Sequence, residues 1–148
     1  MKKFKEFILE KVDRNKLITG NIYQDNACNS FDSGVNSTVL FIGDIGTKFP
    51  MLFLIFEEGS LKEFEFIEWI SDIGSSLSDM NMTLQEYIYS NPKIIYKLIS
   101  ACKKKHFASG GNKKSKILIG KLLVKLETML FEDEKLKQLI DAVDLGLL

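Results

Sequence analysis

Cys102 and His106 stand four residues apart, a spacing that sets a thiol and an imidazole on one helix face, as a nucleophile and its activating base require. Nothing in the surrounding sequence completes the constellation, because no third group is placed to orient the ring and no run of donors is placed for an oxyanion. His106 is the only histidine and falls at a helix end near Ile95 and Ile99, where packing or carbonyl capping accounts for it equally well. The run Gly110-Gly-Asn-Lys-Lys-Ser115 carries the residue types of a phosphate loop without the G-x-x-x-x-G-K-S spacing, and it follows a helix rather than a strand. One histidine and dispersed carboxylates match no metal-ligand spacing. The expectation is therefore a chain that is not an enzyme, with no cofactor and no metal.

Charge is the stronger signal. Twenty basic and twenty acidic residues cancel, yet they are segregated along the chain. Residues 57 to 86 hold eight carboxylates against Lys62 alone, residues 93 to 125 hold ten lysines and no acid, and the part from Glu127 onward holds six acids and two lysines. Within Glu57-Glu-Gly-Ser-Leu-Lys-Glu-Phe-Glu-Phe-Ile-Glu-Trp69, five carboxylates sit among three aromatic rings. Read as a helix after Ser60, this stretch puts Glu65, Glu68 and Asp72 on the face opposite the core, with Leu61 and Phe64 on its flank. Like charges at such spacings disfavour an isolated helix by roughly 0.2–0.5 kcal/mol per pair unless solvent, the lysine-rich helices of the same chain or another protein answers them.

The lysines are ordered in the same way. Lys93, Lys97 and Lys104 share the polar face of one helix, and Lys114, Lys121 and Lys125 that of the next. Nineteen lysines against the single Arg14 argue against base-edge reading of DNA, which favours the guanidinium fork.

Two function classes follow. The first is a non-enzymatic protein-binding module, most concretely a small inhibitor of the immunity or antitoxin kind. Its acidic helix face, Glu57, Glu58, Leu61, Phe64, Glu65, Glu68 and Asp72, would cover the basic active-site groove of a nuclease or similar cationic toxin. The alternative is a nucleic-acid-associated protein that holds phosphates through Lys93, Lys97, Lys104, Lys114, Lys121 and Lys125.

The elements that must position these residues read mainly as helices. At 148 residues, with 45% hydrophobic and 27% charged side chains, a single domain over residues 1–148 is expected. Phe4, Phe7, Ile8 and Val12 recur at helical spacing, and residues 15 to 36 read as loop and short elements. Ser60 and Glu63 form a capping box before Phe66, Trp69, Ile70, Ile73 and Leu77, a helical stripe that predicts a helix over 60–76. Thr83 and Glu86 form a second box, and Pro92 opens a helix ending near Lys105. Lys114 to Leu130 and a last segment carrying Leu136, Leu139, Ile140 and Val143 complete the series.

Residues 37–46 and 48–59 are apolar runs that periodicity cannot divide between buried strand and buried helix. Pro50, Gly59 and the echo of Ile42-Gly-Asp-Ile-Gly-Thr47 in Ile70-Ser-Asp-Ile-Gly-Ser75 favour helix. The fold class expected is mainly α, a multi-helix bundle or irregular stack of helical hairpins, with an α+β fold carrying a hairpin in residues 37–58 as the alternative.

No apolar run reaches the roughly 20 residues of a membrane span, and Glu6 and Glu10 interrupt any secretory core after the initial lysines, so a cytoplasmic protein with no membrane partner is expected. Cys28 and Cys102 are too few for a disulfide scaffold and are expected as buried thiols.

Overall fold

The computed structural model describes residues 17–25, 37–46, 51–56, 64–69 and 77–147. Among them the element order is β1 (Asn21–Asp25), β2 (Ser37–Asp44), β3 (Met51–Ile55), β4 (Phe66–Trp69), β5 (Leu77–Thr83), α1 (Leu84–Ser90), α2 (Ile94–His106), α3 (Lys113–Glu132) and α4 (Glu134–Asp144). The strands form one antiparallel sheet in the order β4-β3-β2-β1-β5. The protein is therefore α+β, about 50% helical and 28% strand over these residues, which overturns the mainly α bundle. The chain divides into two compact units, Met1–Leu84 and Gln85–Leu148, the first holding the sheet and the second almost all of the helix.

The physical reason for the correction lies in the sheet's centre. Cross-strand partners share a face, so Tyr23, Val39, Phe41, Met51, Phe53, Ile55 and Leu77 form one cluster, joined at its margin by Leu17 and Ile67. Ile22, Leu40, Leu52, Leu54 and Phe66 belong to the opposite face and are buried as well. A strand covered on both sides has no polar positions to alternate with, so β2 and β3 read as unbroken apolar runs that resemble buried helix. Their aromatic and β-branched content suits the pleat, and each fully buried side chain contributes roughly 1.5–3 kcal/mol by leaving water. Phe41 packs on Phe53 with ring centroids 5.4 Å apart. The pairing of β2 with β3 is the hairpin named in the alternative, but it is the middle of a five-stranded sheet.

The helix expected over 60–76 is also overturned where the structure describes it. Residues 66–69 are the edge strand β4, paired with β3 through Phe66↔Leu54 and Ile67↔Phe53. Phe66 and Ile67, adjacent in sequence, turn to opposite faces, and Leu77, the last position of the supposed helical stripe, opens β5 instead. Glu65 extends the ladder, its carbonyl accepting from the Ile55 N–H at 2.9 Å. The capping residues Ser60 and Glu63, together with Ile70 and Ile73, lie outside the described residues, as do the amphipathic segment over residues 2–14, Pro50, Gly59 and Cys28.

Two irregularities shape the sheet. Register shifts between Phe41 and Gly43, where Gly43 adopts φ 151°. It shifts again where β5 bulges around Met80 and Asn81. There Asn81 takes φ 51° and its N–H donates to the Asp79 carboxylate at 2.8 Å. Tyr23, fully buried, accepts the Ile18 N–H on its hydroxyl at 2.9 Å. Burial pushes its phenol above the ordinary range.

The helices after Thr83 lie close to their sequence signals. α1 begins at Leu84, directly after the Thr83 box, and α2 follows Pro92 by two residues. Asn112 caps α3, its side-chain oxygen accepting from the N–H groups of Lys114 at 2.8 Å and Ser115 at 3.2 Å. Asp133 caps α4 by accepting from Leu136 N–H at 3.0 Å.

Candidate interaction surface

α2 and α3 pack against each other, joined by the loop 107–112 in which Gly110 and Gly111 take φ 78° and 88°. His106 near the end of α2 meets Lys116, and Lys103 one turn earlier meets Glu127, so the two helices run antiparallel. His106 Nδ1 donates to the Lys116 carbonyl at 3.1 Å. Its ring lies against Gly120, where a Cβ would come within 2.9 Å of the imidazole. The lone histidine is thus a packing residue that the glycine on α3 makes room for. Cys102 beside it is a free thiol, completely buried, and burial pushes it up to about 12, so it is held protonated and shielded from substrate. The thiol–imidazole pair considered in the sequence carries no nucleophile.

Of the acidic set, Glu57, Glu58, Leu61 and Asp72 lie outside the described residues. Glu65 is exposed just before β4, and Glu68 is exposed on β4 opposite Leu52. Glu65 precedes an edge strand and Glu68 lies within it, so neither stands on a helix face. Phe64 is half-buried at φ 52°, its ring edge-on to Phe56 at 6.3 Å, and so does not stand out as an isolated anchor.

The lysine set is gathered on one hairpin. Lys97, Lys104, Lys114, Lys121 and Lys125 are all exposed. Lys93 precedes α2 and pairs with Asp144 at 2.8 Å, a surface ion pair that holds its ammonium above the usual range. Lys103 reaches Glu127 at 3.8 Å.

What the sequence reading missed is an exposed apolar line between the lysines. Along α2 and its C-cap, Tyr96, Ser100, Lys103 and Phe107 recur at i, i+4, i+7 and i+11, and Tyr96 and Phe107 are 47% and 75% exposed. On α3, Ile117, Val124 and Phe131 recur every seven residues and are 57%, 64% and 68% exposed. Three residues beyond Ile117 and Val124 come Gly120 and Glu127, which face α2; four residues beyond come Lys121 and Thr128, which face away. The apolar line of α3 therefore lies between the seam and the column of Lys114, Lys121 and Lys125. On α2 the Tyr96–Phe107 line likewise lies nearer the seam, because it contains Lys103, with Lys97 and Lys104 farther out. Across the hairpin the order is lysine column, aromatic line, seam, aliphatic line, lysine column. The seven-residue repeat 117, 124, 131 is present in the sequence, beside a broader apolar stripe of Leu118, Ile119, Leu122, Leu123, Leu126, Met129 and Leu130. Of those, Ile119, Leu123 and Leu126 are buried.

Among the described residues no group of three or more His, Cys, Asp or Glu side chains is placed to hold a metal ion. Among the same residues no helix is long and apolar enough to cross a membrane. No protein-family model, curated protein or solved structure matches the chain.

Proposed function

We propose that the chain is a non-enzymatic protein-binding module acting in the cytoplasm, and that its principal contact surface is the exposed side of the α2–α3 hairpin. One observation carries this reading: five large apolar side chains, Tyr96, Phe107, Ile117, Val124 and Phe131, stay exposed between two lysine columns. Apolar area of this kind rimmed by charge is the anatomy of an interface, an anchor strip that excludes water within a polar margin. Lysine columns alone would suit phosphate binding equally, but aliphatic Ile117 and Val124 offer a nucleic-acid strand neither stacking nor hydrogen bonds. The test is affinity capture from the native cell with the whole chain and with Val124→Asp plus Phe131→Asp. Proteins recovered by the first and lost with the second support the module; identical recovery contradicts it, and salt-sensitive retention of RNA or DNA by both chains favours the nucleic-acid alternative.

The inhibitor reading, in which a cationic toxin or nuclease meets the acidic residues, is supported by the exposure of Glu65 and Glu68 at the sheet edge. An edge strand can accept a partner's strand while its carboxylates steer a basic protein toward it. Glu65→Lys with Glu68→Lys removes such binding on this reading and leaves capture through α2–α3 unchanged.

A further inference from the structure

Resting on the protein-binding reading, we infer that the occupant of the α2–α3 surface is an acidic amphipathic helix of a partner protein, laid along the seam between the two helices. Three features set the occupant's chemistry. The strip is long and narrow: Ile117 and Phe131 stand fourteen positions apart, about 21 Å along the helix. This matches four turns of a docked helix rather than a globular patch. The apolar residues lie on both sides of the seam, so a third helix would settle its ridge into the groove the pair makes, meeting Tyr96 and Phe107 on one wall and Ile117, Val124 and Phe131 on the other. The margins are mainly lysine on both sides, with Glu127 paired to Lys103 at the seam and Glu132 at the end of α3, so carboxylate flanks on the occupant complement them. A second copy of the chain fits poorly. Among the described helices the most amphipathic, α4, already buries Leu136 and Ile140, and like lysines would face one another across an α3–α3 contact.

Among the described residues the strip stays exposed, although exposing it is unfavourable. α3 is also charged against its own dipole, with Lys113 and Lys114 in its first turn, no basic residue in its last and Glu132 at its end. An acid-flanked helix running antiparallel to α3 would set its carboxylates against that lysine-bearing first turn.

The experiment uses the full chain and three synthetic peptides of about eighteen residues, long enough for the 21 Å strip. One carries a leucine stripe at i, i+3, i+4 and i+7 flanked by glutamates, one the same stripe flanked by lysines, and one the first composition in scrambled order. By fluorescence anisotropy the acidic peptide is expected to bind at least ten-fold more tightly than either control. Its affinity should fall steeply with salt and drop at least ten-fold with Val124→Asp or Phe131→Asp, variants whose unchanged circular dichroism shows that they fold. Equal binding of the acidic and basic peptides, or binding indifferent to Val124→Asp, overturns the inference. So does Val124-dependent pelleting with phosphatidylserine vesicles, Val124-dependent retention of RNA, or Val124-dependent dimers in sedimentation, each of which gives the strip another occupant. If the acidic peptide fails while Val124-dependent capture of cellular proteins persists, the helix mode is wrong and the module stands. If both fail, both fall.

Discussion

The two units spend their apolar residues in opposite ways. In the sheet unit the central strands bury nearly everything they carry: β3 has no exposed residue, and both faces of β2 and β3 are covered. In the helical unit, α3 buries Ile119, Leu123 and Leu126 on one side yet leaves Ile117, Val124 and Phe131 exposed on the other. The first is a core built for stability, in which any lost side chain leaves a void. The second keeps one side apolar in water, as the proposed contact surface requires.

The contrast can be broken most sharply by truncation. Phe53→Ala removes a fully buried ring from the sheet and is expected to lower stability by about 3–5 kcal/mol in urea denaturation, whereas Val124→Ala on α3 should stay within about 0.5 kcal/mol. Comparable losses at the two positions would mean that α3 is covered after all.

Gly120→Ala asks whether the hairpin seam is as tight as the histidine packing implies. The added methyl meets the His106 ring at 2.9 Å and should destabilise the chain by about 1–3 kcal/mol, less in the His106→Ala background, where the ring is gone. Additive losses in the double variant would show that the ring is not what the methyl strikes. Asn112→Ala, which removes the α3 cap, should cost about 1 kcal/mol in thermal unfolding, and Asn112→Asp should retain most of it.

The smallest effect is a pH dependence. The Tyr89 hydroxyl donates to the Asp133 carboxylate at 2.5 Å and holds its carboxyl below the usual range, while the same bond raises the tyrosine. A depressed folded value means that Asp133 adds stability at pH above its unfolded value of about 3.9, and that this is lost as pH falls through the folded one. Stability measured from pH 6 down to pH 2 should therefore decline less steeply in Tyr89→Phe than in the native chain; parallel curves would show that the bond contributes nothing.

Legibility from sequence followed the same division. In the helical unit the signals are local: Thr83, Pro92 and the apolar spacings after them mark helices that begin and end within about two residues of where they are read. In the sheet the deciding information is non-local. Phe66 and Ile67 fit a helical stripe as well as a strand, and only β3 lying beside them settles the matter. Of the acidic face expected on that helix, Glu65 and Glu68 stand at an edge strand, and Glu57, Glu58, Leu61 and Asp72 lie outside the described residues. The lysine columns were legible because they sit on helices that form as read. The apolar line between them was not, because burial decides whether a leucine-rich helix turns one apolar side or two to solvent, and burial is not written in spacing alone.

The central claim is that position 124 faces a protein partner. A photo-crosslinking amino acid placed there in the native cell, beside a control at exposed Gln138 on α4, tests it most directly. The account predicts a discrete protein adduct from position 124 that the control does not give; no adduct, or the same adducts from both positions, would contradict it.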